Sequence, residues 1–98
     1  MEHNMSEVYN EIKVYVAVKA GFDRDGRMIP VELTWEDGTK YAIDKVTEIR
    51  RAAALRAGGH GDRYTVWING MRSYLFFERS TYPIGNNIGR WFVERKAA

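Results

Sequence analysis

Tyr64-Thr65-Val66-Trp67-Ile68-Asn69-Gly70-Met71-Arg72-Ser73-Tyr74-Leu75-Phe76-Phe77 decides the fold. Two runs of β-branched and aromatic residues flank Asn-Gly, the dipeptide that most readily supplies the positive φ angles of a two-residue hairpin turn. Such a turn pairs Ile68 with Met71, Val66 with Ser73 and Tyr64 with Leu75. It places Thr65, Trp67, Arg72, Tyr74 and Phe76 on the opposite face. Both faces are apolar enough to need cover, which suggests closure into a small barrel or a sheet packed on a second copy of itself.

Towards the N-terminus, Asp25-Gly26 and Asp37-Gly38 repeat the turn pattern. Before the first of them, Ile12, Val14, Val16 and Val18 alternate with Lys13, Tyr15, Ala17 and Lys19, the period of two that marks a half-buried strand. A four-residue loop from Asp23 to Gly26 would oppose Val18 to Val31, Val16 to Leu33 and Val14 to Trp35. At the second turn, a three-residue loop with Gly38 in a left-handed bulge aligns Trp35 with Thr39, Leu33 with Tyr41 and Val31 with Ile43. Pro30 then falls on the outer face, where its missing N–H predicts a local irregularity. Towards the C-terminus, a last strand over 90–94 sets Trp91 and Val93 against Phe92 on the other side.

These pieces make an all-β domain over residues 10–95: a small antiparallel sheet or barrel of five to six strands, between tails at 1–9 and 96–98. The segment from Lys45 to Gly61 is open. Asp44 as a cap, the alanine-rich run from Arg51 to Ala57 and the Gly58-Gly59 pair favour a short helix around 45–57. The alternative is a third strand reaching about Arg51, followed by a loop over 52–61.

Four motifs bear on that choice: Trp35-Glu36-Asp37-Gly38, Tyr41-x-Ile43-Asp44-x-Val46, the run from Gly58 to Val66, and Trp91-Phe92-Val93-Glu94. Through them the chain resembles a group of short bacterial all-β proteins, common in Firmicutes, whose domain has no assigned function. More distantly, it is similar to small β proteins encoded near error-prone DNA polymerases. The resemblance implies strand rather than helix through 45–51, and it carries no catalytic residue with it.

Composition bounds the function. The 98 residues contain no cysteine, so neither disulfides nor thiolate metal sites are available. A cytoplasmic location is expected from that and from a polar start without a signal-peptide pattern. Charge is uneven: residues 1–39 carry eight acidic and four basic side chains, residues 40–98 five and eleven. That polarity points to a nucleic-acid face, or to pairing of the first hairpin with the rest of the same molecule.

Gly58-Gly59-His60-Gly61 lacks the Gly-Lys-Ser/Thr ending of a nucleotide loop, and Asp23-Arg24-Asp25-Gly26 lacks the distal ligands of a calcium loop. His3 and His60 are too few for a zinc site, and no nucleophile has a supporting base. Enzyme activity, cofactors and metals are therefore not expected. Binding remains. An interaction module, working with a protein partner or as a homodimer, is expected to use Tyr82, Ile84 and Ile88 in a loop from Ser80 to Gly89. The alternative is single-stranded nucleic acid on Arg50, Arg51, Arg56, Arg63, Trp67 and Arg72, phosphates on the cations and bases on the rings.

Overall fold

Seven antiparallel strands form one sheet in the order β3-β2-β1-β7-β6-β5-β4. They are β1 (Glu11–Phe22), β2 (Met28–Thr34), β3 (Lys40–Ala42), β4 (Lys45–Ala53), β5 (His60–Ile68), β6 (Met71–Ile84) and β7 (Asn87–Lys96). The computed structural model describes residues 11–53 and 60–96, and these contain no helix. The expected tail at 1–9, Arg56 and the Gly58-Gly59 pair lie outside the described residues. The sheet curls into a half-barrel whose inner face holds Tyr64, Val66, Leu75, Phe77 and Trp91. Val16, Val18, Met28 and Val46 close round them.

The Asn69-Gly70 hairpin has the register read from its sequence, Ile68 with Met71 through Tyr64 with Leu75, with both turn residues at positive φ (51° and 77°). The bulged turn after Trp35 is also as expected. Leu33 opposes Tyr41, the Trp35 N–H donates to the Thr39 carbonyl at 2.8 Å, and Gly38 sits at φ 90°.

Four expectations need correction. The first hairpin is shifted: Val18 opposes Leu33 rather than Val31, and Ala20 opposes Pro30. Val31 is the extra residue of a bulge between those pairs, and it is left 47% exposed while Pro30 is fully buried. An irregularity beside Pro30 was the expectation. Its consequence is that the faces of Pro30 and Val31 exchange, because one added residue reverses the alternation.

The third strand divides in two, raising the count from five or six to seven. At Ile43-Asp44 the chain crosses from one end of the sheet to the other. The Ile43 N–H donates to the Val31 carbonyl of β2 (3.0 Å) and the Asp44 N–H to the Trp67 carbonyl of β5 (2.8 Å). Strand, not helix, runs from Lys45 through Ala53, where cross-strand pairing with β5 overrides the helix propensity of Arg51-Ala52-Ala53; residues 54–57 of the expected helix lie outside the described residues. Finally, the expected loop from Ser80 to Gly89 is the end of a long hairpin, with Ile84 opposite Asn87 across the turn.

Candidate functional site

The ends of the sheet order meet at a seam. Among the described residues, β4 has β5 on one side and no hydrogen-bonded strand on the other, while the first residues of β2 approach from across the gap. Thr47 makes β4 irregular: pairing passes from Val46–Val66 directly to Glu48–Thr65. The bulged Thr47 hydroxyl accepts the Trp67 indole N–H at 3.3 Å and donates to the Thr65 carbonyl at 3.5 Å. After the bulge, Glu48 and Arg50 fall on the outer face, and Ile49 and Arg51 on the inner one.

A cleft of about 830 Å³ opens at the seam, lined among others by Phe22, Met28, Ile49, Tyr64, Phe77 and Ile88. Its rim is apolar and wet: Phe22, Ile49 and Ile88 are 67%, 41% and 52% exposed. Its floor is polar at one point. The Tyr64 hydroxyl donates to the Met28 carbonyl at 2.9 Å, a direct bond between β5 and β2. Burial, reinforced by the nearby Asp62 charge and opposed by Arg79, pushes the Tyr64 phenol above its ordinary value. Asp62 accepts from Arg79 at 3.1 Å and faces Arg51 at 4.0 Å.

At the opposite end of the half-barrel, a second cleft of about 680 Å³ lies between Leu33, Trp35, Tyr41, Ile68, Met71 and Val93. It is more apolar in lining.

The outer face answers the question of what covers it: its own cations. Phe92, fully buried, stacks on Phe76 with ring centres 5.0 Å apart, and the Lys13 ammonium stands 4.9 Å above its centre. Lys13 and the Tyr15 hydroxyl both reach the Glu78 carboxylate, and Arg90 lies 3.8 Å from the Tyr15 ring centre. Further along, Lys45 covers Trp67, while Arg63 and Arg72 flank Tyr74. Each exposed cation–ring pair contributes about 0.5–1 kcal/mol, so the array stabilises the sheet as well as marking its surface.

Of the six residues expected to hold nucleic acid, Arg50, Arg63, Trp67 and Arg72 share this outer face. Arg51 turns to the inner side towards Asp62, and Arg56 lies outside the described residues. Arg63 is already engaged by Glu48 at 3.8 Å and by Tyr74, and its Nε is buried without an acceptor. Trp67 and Tyr74 are outside the core, and Tyr74 is 41% exposed. Of the expected interaction residues, Ile88 is exposed at the seam; the side chains of Tyr82 and Ile84 lie outside the described ones. The sequence reading missed Ile49 and the free edge of β4 entirely. An isoleucine between Glu48 and Arg50 was the available clue.

Among the described residues, the acidic side chains of the first half pair mostly within their own hairpin. Glu36 and Arg95 join the two halves at 3.1 Å, but Asp23 and Asp25 turn to Arg27, and Glu32 to Lys19. The fold defines the class of this chain: a curled, seven-stranded antiparallel half-barrel with an open seam. Compared with known proteins, the chain matches no family model, no curated protein and no solved structure.

Proposed function

We propose that this chain is a binding module that associates with protein through the seam, taking an extended strand along the free edge of β4. One observation carries the reading: among the described residues, β4 ends the sheet with no strand paired to its outward backbone groups, beside an apolar rim of Phe22, Ile49 and Ile88. Unpaired N–H and C=O groups in a row are a template for strand addition, and pockets beside the edge select side chains of the added strand. The test is capture from an extract of the host cell on immobilised wild-type chain and on Ile49→Lys, compared by quantitative mass spectrometry. Partners of the seam are lost from the variant. An identical captured set on both chains removes the reading.

A second reading is supported by the grouping of Arg50, Arg63, Trp67 and Arg72 beside exposed Tyr74 on the outer face. There, single-stranded nucleic acid would stack bases on Trp67 and Tyr74 and set phosphates on the arginines. The internal pairing of Arg63 with Glu48 and Tyr74 places it second, since a phosphate must displace those contacts.

A further inference from the structure

We infer that the strand received by β4 is β4 of a second copy of this chain, joined about a two-fold axis through Ile49. This rests on the seam reading above and names its occupant.

The argument is one of register. A two-fold axis perpendicular to the sheet keeps outer face with outer face, so each residue must oppose one that points the same way. Within Glu48–Arg51, each choice of centre therefore has a definite set of neighbours. Centring on Glu48 opposes Glu48 to itself. Centring on Arg50 or Arg51 opposes arginine to arginine. Centring on Ile49 opposes Ile49 to Ile49, and Glu48 of each copy to Arg50 of the other, twice. Like charges directly opposite each other destabilise a strand pair and opposite charges favour it, so only the Ile49 centre is self-complementary.

The side chains are exposed enough to reach a second copy, and the contacts that Glu48 keeps within the chain, to Arg63 at 3.8 Å and to the Thr65 hydroxyl at 3.5 Å, are long ones. Glu48 and Arg50 are 50% and 58% exposed, and their contact within one chain is at 4.0 Å, the loose limit of an ion pair. Ile49 is 41% exposed at the centre, where its counterpart would cover it. Arg51, 79% exposed and reaching Asp62 at 4.0 Å, lies beyond the central pairs. Charged residues commonly guard an edge against pairing. Here the spacing of the guards makes them fit their own copies.

Sedimentation equilibrium of the complete chain, from micromolar to millimolar concentration, tests this. Wild-type protein shows a monomer–dimer equilibrium. Glu48→Arg and Arg50→Glu each weaken it by roughly tenfold or more, because each sets two like-charge pairs at the interface. Mixing these two variants restores a dimer as the heterodimer, and the double exchange Glu48→Arg/Arg50→Glu restores it as a homodimer. Circular dichroism and thermal melts confirm that each variant folds, and the double exchange guards against a single variant that does not. A wild-type chain that stays monomeric overturns the inference, and so does a dimer indifferent to these reversals. If that monomer still captures another protein in an Ile49-dependent way, the second copy is excluded and the seam reading stands.

Discussion

The Tyr64 hydroxyl donates to the Met28 carbonyl at 2.9 Å, tying β5 to β2 across a seam that no strand ladder closes among the described residues. A single side chain thus does at this point what a row of backbone bonds does elsewhere in the sheet. Tyr64→Phe keeps the ring packing on Trp91 (centres 5.1 Å apart) and removes only that bond. The expected loss is about 0.5–1.5 kcal/mol in a urea melt. A neutral effect would mean that water replaces the hydroxyl without cost.

The same residue predicts an alkaline limb. Its pKa is raised in the folded state, chiefly by burial, so the neutral phenol is the form that folding favours. That contribution is fully present below the ordinary tyrosine value and is lost as pH rises through the elevated one. Thermal melts above pH 10 should therefore fall more steeply for the wild type than for Tyr64→Phe.

Leu33 is 7% exposed between Val18 and Tyr41. Leu33→Ala should cost about 2–5 kcal/mol, read as a lower urea midpoint at unchanged slope. A loss below about 0.5 kcal/mol would place that side chain outside the core.

Two glycines are predicted to differ. A Cβ on Gly89 would stand 2.5 Å from both the Glu78 carbonyl oxygen and the Phe77 ring, which forces the β6–β7 ladder apart. Gly38, at φ 90°, has open space around it, so Gly38→Ala incurs only the left-handed backbone cost of about 1–2 kcal/mol. Gly89→Ala should be the more destabilising in parallel melts. The reverse order would contradict the packing of Phe77 beneath β7.

For the outer face, a gel shift with short single-stranded DNA and RNA across a salt series gives the check. Binding through Arg63, Arg72 and Trp67 falls steeply with salt and weakens in Trp67→Ala. No retention at the lowest salt leaves the cation–ring array as structural cover alone.

The turns were legible because their chemistry is local. Asn69-Gly70 and Asp37-Gly38 impose positive φ, and the alternation about them selects one register. The bulges were not. Val31 and Thr47 are extra residues whose place is set by what each strand meets across the sheet, and each reverses the alternation beyond it. Pro30 marked one of them by its missing donor; nothing comparable marked Thr47. The division at Ile43-Asp44 was hidden because a strand that changes partners reads as one strand. Arg63, Trp67 and Arg72 could be grouped by alternation within their hairpin, but Arg50 lies beyond the Thr47 bulge, and the engagement of these residues with Glu48, Thr47 and Tyr74 depends on contacts across strands.

Amide hydrogen exchange at Glu48 to Arg51 measures the free edge of β4 most directly. In dilute protein, the amides pointing away from β5 should exchange freely, while their neighbours bonded to β5 are protected. When the protein is concentrated, or when a captured partner is added, those free amides should become protected and the rim of the other cleft, at Trp35, Tyr41 and Met71, should not change. Protection appearing at Trp35, Tyr41 and Met71, with β4 still exchanging freely, would place binding at the other cleft and not at β4.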